Sequence, residues 1–472
     1  MTDLRDALYI VSFGLFILGL SGLTGPTTAV RGNRIAAAGM AVAVVATLLR
    51  SEIHNWGLIA FGLAVGTAIG VPAARRVQMT QMPQMVALFN GVGGGAVALI
   101  AWAEFRSSNA YADDATYVAI FSVFAAIVGS ISFWGSNVAF AKLQELIRGR
   151  PITAGRLQTP LNALFAAVAV GCGVALVAGT GQEWLMVTLL LSAAVLANLL
   201  VLPIGGADMP VVISLLNAFT GLSAAATGVA LDNTAMIVAG MLVGASGTLL
   251  TQQMAAAMNR SVRSIVAGGF GGDGELPAGT AATGGSVRST SASDVAIQLA
   301  YAQQVVIVPG YGLAVSQAQH ALRDMTRLLE AQGVTVKFAV HPVAGRMPGH
   351  MNVLLAEAEV PYDQLVEMDD INPEFPRTDV ALVIGANDVV NPDARTNPAS
   401  PLYGMPILDV DQARSIIVLK RSMRSGYAGV ENPLFVDPKA AMLFGDAKAS
   451  ITEITSELKA LGGVAEPQPA AA

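Results

Sequence analysis

The chain has 472 residues, 53% of them hydrophobic and only 13% charged, with a formal net charge of −6. An acidic balance without Lys and Arg interleaved among aromatic residues leaves nucleic acid no electrostatic footprint, so that partner is excluded. Cys172, the single cysteine, lies in an apolar run, so neither a disulfide framework nor a thiolate metal site is expected and no metal is assigned.

Nine apolar stretches of near membrane-spanning length follow one another between Ala7 and Met258. A hydrocarbon core about 30 Å thick takes roughly 20 apolar residues as a helix, because backbone groups left unpaired in lipid cost several kcal/mol each. The predicted spans are Ala7–Leu23, Ile35–Leu49, Asn55–Ala74, Met85–Ala103, Tyr117–Phe140, Leu161–Thr180, Trp184–Ile204, Met209–Ala230 and Ala235–Met258. The second is short and needs its flanks. Little positive charge precedes the first and no small-residue cleavage signature follows, so it reads as a span and not as a removable signal peptide.

Lys and Arg collect in cytoplasmic loops near span ends. One side holds Arg31, Arg34, Arg75, Arg76, Lys142, Arg148, Arg150, Arg156, Arg260 and Arg263. The other holds Arg5, Arg50 and Arg106 among the acids Glu104, Asp113, Asp114, Glu183 and Asp232. This asymmetry predicts an N-terminus outside and a cytoplasmic C-terminal part. Glycines within the spans, such as Gly94, Gly171, Gly173, Gly240 and Gly244, predict close helix packing. Asn90 and Asn217 each need a partner or water at membrane depth, as proton-path members or as glue between helices. His54 reads as an interfacial anchor in preference to a proton-entry group, and Asp208, just before Met209-Pro210, as a helix cap or a sensor of the docked domain.

Residues 1–262 are therefore expected to form a transmembrane domain, 263–294 a flexible linker rich in Gly, Ala, Ser and Thr, and 295–472 a separate α/β domain. In that last part Val305–Val308, Val334–Val340, Val380–Gly385 and Ile416–Leu419 alternate with the helical patterns Ala318–Gln332, Asn352–Glu359 and Ile451–Leu461, which predicts a Rossmann-like parallel sheet. The first strand ends in Pro309-Gly310-Tyr311-Gly312-Leu313-Ala314-Val315, where two glycines allow a tight turn and close backbone approach to a pyrophosphate. Val315 departs from the third glycine of the G-x-G-x-x-G pattern. A plain strand-to-helix turn is an equal reading of this segment alone. The second strand closes in Ala339-Val340-His341-Pro342 without the acid that would take a ribose 2′-hydroxyl. Lys420-Arg421-Ser422-Met423 suits a 2′-phosphate, so NADP(H) fits better than NAD(H). Asn391 to Pro406 reads as a lid or an irregular connection.

Taken together, Met258-Asn-Arg-Ser, Pro309-Gly-Tyr-Gly, His341-Pro-Val-Ala-Gly-Arg-Met-Pro-Gly-His, Gly385-Ala-Asn-Asp, Lys420-Arg-Ser-Met, Gly426-Tyr-Ala-Gly and Leu443-Phe-Gly-Asp-Ala-Lys-Ala-Ser resemble the beta subunit of the proton-translocating NAD(P) transhydrogenase, over essentially the whole chain. The resemblance implies NADP(H) on this chain and NAD(H) on a separate alpha subunit, two alpha-beta halves, and a bacterial inner membrane. Hydride would pass from NADH to NADP+ while protons run inward. It assigns the nucleotide loop to Gly310, Tyr311, Gly312, Ala314 and Val315. Around the nicotinamide half it places His341, Pro342, Val343, Ala344, Gly345, Arg346, Met347 and Pro348 with Gly385, Ala386, Asn387 and Asp388. The 2′-phosphate goes to Lys420, Arg421 and Ser422, and the pocket is completed by Gly426, Tyr427, Gly445, Asp446 and Ala447. Asp208 and Arg260 are implied in coupling. Asn90 stands where the family carries an intramembrane histidine, and asparagine does not titrate near neutral pH. No residue is named as catalytic for hydride transfer, which the cofactors carry. Two rival classes share the architecture: a channel gated by a nucleotide-sensing domain, and a dinucleotide-binding scaffold.

Overall fold

The computed structural model describes the chain apart from residues 1, 24, 50–52, 54, 79–80, 112–114, 145, 148–150, 206–207, 259–260, 270–285, 346–348, 401, 425, 427–429 and 462–472. Arg50, His54, Asp113, Asp114, Arg148, Arg150, Arg260, Arg346, Met347, Pro348, Tyr427 and half of the linker accordingly lie outside the described residues. The chain divides into two compact units.

The first unit consists of long helices: α1 (Thr2–Gly22), α2 (Pro26–Leu48), α3 (Trp56–Arg76), α4 (Met82–Ser107), α5 (Thr116–Leu143), α6 (Gln158–Val177), α7 (Glu183–Val201), α8 (Met209–Ala230) and α9 (Thr234–Ala257). Among the described residues nine helices are long and apolar enough to cross a membrane. Proline, whose ring pre-sets the helical φ and whose missing N–H is no loss in a first turn, starts α2, α4 and α8 at Pro26, Pro83 and Pro210. That start carries the second span back from Ile35, across Thr28, Arg31 and Asn33, whose polarity masks it in a hydropathy reading.

Small residues let the helices touch backbone to backbone. A Cβ on Gly94 of α4 would lie 2.9 Å from the Gly129 carbonyl oxygen of α5, and one on Gly240 of α9 would run into the backbone of Ala225 in α8. Gly171 is different: its Cβ would meet nothing within 4 Å, so it makes no such contact. Lys142 also departs from expectation. It belongs to the last turn of α5, is 1% exposed, and donates from Nζ to the carbonyls of Leu202 and, at 2.8 Å, of Ile204. It caps the end of α7 instead of standing in a loop. No residue of α3 is buried. The short helix α10 (Val262–Gly269) follows, with Ile265 buried.

The second unit is a six-stranded sheet in the order β3-β2-β1-β4-β5-β6, every pair parallel. Its strands are β1 (Gln304–Pro309), β2 (Thr335–Val340), β3 (Leu365–Glu367), β4 (Val380–Ile384), β5 (Ser415–Lys420) and β6 (Ala440–Phe444). The helices are α11 (Ala292–Ala300), α12 (Tyr311–Val315), α13 (Gln319–Ala331), α14 (His350–Glu357), α15 (Met368–Ile371), α16 (Asp393–Thr396) and α17 (Ala447–Leu461). A parallel sheet covered on both faces needs near-continuous apolar strands, and Val380-Ala-Leu-Val-Ile is buried throughout. One face packs on Phe375, Leu408, Leu434 and Phe435. The unit begins before residue 295, since Ser291 caps α11 and Ser289 bridges Met442 at the sheet edge.

Candidate functional site

The strand order reverses between β1 and β4, so the connections from their carboxyl ends diverge and leave a crevice there. The backbone closes its floor. Gly310 N donates to the Ile384 carbonyl at 2.9 Å and Gly312 N to the Gly385 carbonyl at 3.1 Å. A Cβ on Gly310 would strike the backbone of Gly385 and Ala386, and one on Gly312 would come 2.7 Å from Gly385 Cα. Gly385 itself holds φ +66°, in the left-handed region that favours glycine. Three glycines thus interlock two loops at a spacing no side chain would allow. The missing third motif glycine has a plain cause. That glycine serves close packing of a helix on the sheet, whereas α12 lasts five residues and ends at Val315, which is 39% exposed.

Above this floor lies a cleft of about 310 Å³ lined by Gly312, Gly385, Ala386, Asn387, Leu419, Lys420, Arg421, Ser422, Arg424, Gly426, Gly445 and Ala447. Ten of the residues expected from the sequence meet there, counting all of these but Leu419 and Arg424. No carboxylate is among them. Arg424 was legible as a third cation in the run begun by Lys420, and Leu419 as the apolar end of β5. Lys420 Nζ donates to the Arg424 carbonyl at 2.7 Å and sits 4.4 Å from the centre of the Phe435 ring. Burial pushes the Lys420 ammonium below its ordinary pKa, while the Asp388 carboxylate pulls the other way.

Other expected residues stand away from the lining. Ala314, on the inner side of α12, is fully buried. Asp446 Oδ1 accepts from the backbone of Lys448 and Ala449, so it caps α17. Gly345, at φ +105°, packs where a Cβ would press on the His350 ring, which in turn lies 6.2 Å from the ring of Tyr311. His341 is 1% exposed, with Nδ1 accepting from Val343 N at 3.2 Å and Nε2 bonded to the Pro406 carbonyl at 2.8 Å. One carbonyl acceptor at Nε2 and one N–H donor at Nδ1 fix the neutral ring with its proton on Nε2. Burial holds its pKa below the ordinary value, opposed by the Pro406 bond. His341 is a latch on the segment after Asn391, which also has its own small core of Ala394, Leu402, Met405 and Ile407. Arg395 forks onto Asp409 and Asp411 at 2.6 Å each. Burial nevertheless raises the Asp409 pKa, with Arg395 lowering and Asp411 raising it in turn.

In the helical unit, Asn90 Nδ2 donates to Ser136 Oγ at 2.9 Å and to Ser132 Oγ at 3.3 Å, and the hydroxyls of Ser132 and Thr220 are bonded. A polar ribbon therefore crosses α4, α5 and α8. Asn217, half-buried on α8, makes no side-chain hydrogen bond among the described residues. Asp208 occupies the cap position of α8 but makes no side-chain capping bond, so the cap expected of it is not formed. No cluster able to hold a metal occurs among the described residues.

A family model described as NAD(P) transhydrogenase beta subunit matches residues 5–457. A chain named NAD(P) transhydrogenase subunit beta from Rhodospirillum rubrum is 48% identical over 463 residues, covering 97% of this chain and 99% of the relative. A chain of the same name from one strain of that species gives the same figures.

Proposed function

The chain belongs to the family of NAD(P) transhydrogenase beta subunits, and from that premise we propose that its sheet unit binds NADP(H) while a separate alpha subunit presents NAD(H). The activity of the family is an oxidoreduction between nicotinamide nucleotides. The observation that carries the NADP(H) assignment is the cleft itself: a glycine floor, a wall containing Lys420, Arg421 and Ser422, and no acid in the lining. Forked and point cations suit a phosphate, and a backbone stripped of Cβ atoms lets a pyrophosphate lie close. NADP(H), when bound, supplies the nicotinamide that accepts or gives hydride.

The chain's own residues then bind and orient. Gly312 and Gly385 keep the floor low, Arg421 and Ser422 donate toward the 2′-phosphate, and His341 holds the 391–409 segment beside the site. In the helical unit the Asn90–Ser132–Thr220 ribbon serves the proton path, with Asn217 as a water-holding member. None of these groups titrates near neutral pH, so the titrating histidine is assigned to the alpha subunit. Asp208 and Arg260 take the coupling role. The assembly is two alpha-beta units in a bacterial inner membrane, with the sheet unit cytoplasmic, as the loop cations favour.

The test is the chain reconstituted with its alpha partner in sealed vesicles. NADH should reduce NADP+ with a matching pH change, and an imposed proton gradient should speed the reaction. Redox turnover without any pH change removes the coupling, and solute flux without redox turnover removes the enzyme.

A further inference from the structure

Lys420 is already engaged in the cleft, by the Arg424 carbonyl at 2.7 Å and by the face of Phe435. The two guanidinium groups beside it are in a different state. Arg421 and Arg424 both line the cleft, both are exposed, and neither guanidinium makes an ion pair or hydrogen bond among the described residues. Two other arginines of the same unit are committed, Arg395 to Asp409 and Asp411 and Arg414 to Asp379, whereas Arg288 and Arg377 are exposed on the surface away from the cleft lining. Two uncommitted forks on one wall, with the neighbouring Asp388 carboxylate set against Gly426 and acting on Lys420, make a site for an anion with more than one negative charge. A phosphate monoester carries about −1.5 to −2 near neutral pH and offers three acceptor oxygens. Guanidinium matches such oxygens two at a time, which a point charge does not.

We propose that Arg424 is a second guanidinium ligand, beside Arg421, for the 2′-phosphate of the bound dinucleotide, and thereby sets selectivity for the phosphorylated coenzyme. The proposal rests on the reading of this cleft as the dinucleotide site. Lys420 has a distinct part: by holding the Arg424 carbonyl it ties the segment after β5 back to the strand end, so that residue 424 stays on the wall next to residue 421.

The full-length chain in detergent is titrated with NADPH, NADH and adenosine 2′,5′-bisphosphate. Arg424→Ala should weaken NADPH and the bisphosphate by about tenfold or more, equivalent to about 1.4 kcal/mol, and leave NADH within about twofold. Arg424→Lys, which keeps the charge and loses the fork, should fall between the two. NADPH binding by Arg424→Ala within about twofold of the unsubstituted chain overturns the proposal, as does an equal loss for NADPH and NADH. A different result strikes the dinucleotide reading itself: no preference for NADPH over NADH in the unsubstituted chain.

Discussion

Each ring nitrogen of His341 has one partner, and a second ring proton would have to displace the Val343 N–H from Nδ1. A group whose folded pKa lies below its unfolded value binds more protons when the chain is unfolded, so its stabilisation is full above the ordinary value of 6.5 and is lost as pH falls from there toward the folded pKa. Thermal melts of the chain should therefore show the sheet unit losing stability between pH 7.5 and 5.5. His341→Gln should flatten that slope while lowering stability at pH 7.5 by about 1–3 kcal/mol, the cost of partners left unpaired in a buried place. An unchanged slope would detach the pH response from this ring.

Helices and strands were unevenly legible. The long spans announce themselves because lipid admits few alternatives to a helix of that length. The central strands β1, β2 and β4 are apolar runs with a glycine or proline close to an end, and β5 is an apolar run closed by Lys420-Arg421, whereas β3 is three residues at an edge and β6 begins with two alanines, so neither carries a periodic signal. The cleft residues on strand ends could be read from motifs. Lys142 could not, because its partners are backbone carbonyls about 60 residues away. Glycine content predicted close packing without saying which glycines matter. Gly94→Leu should drive α4 from α5 and abolish folded protein in the membrane, while Gly171→Leu, facing open space, should leave yield and activity near those of the unsubstituted chain. Equal loss from both substitutions, measured by membrane yield, would refute that distinction.

Across the whole chain, charge asymmetry predicts an orientation that labelling can read. With Cys172→Ala as background, Ala154→Cys between α5 and α6 should react with an impermeant thiol reagent only from the cytoplasmic side, and Gln182→Cys before α7 only from outside. The reverse pattern would place the sheet unit on the side away from cytosolic coenzyme. One feature of that unit bears on how relatives are found in genomes. Because α12 stops after five residues, the fold has no need of a glycine at Val315, so a scan that demands all three glycines would pass over chains built this way. A search profile pairing the two glycines of the first loop with a left-handed glycine closing the fourth strand would retrieve them.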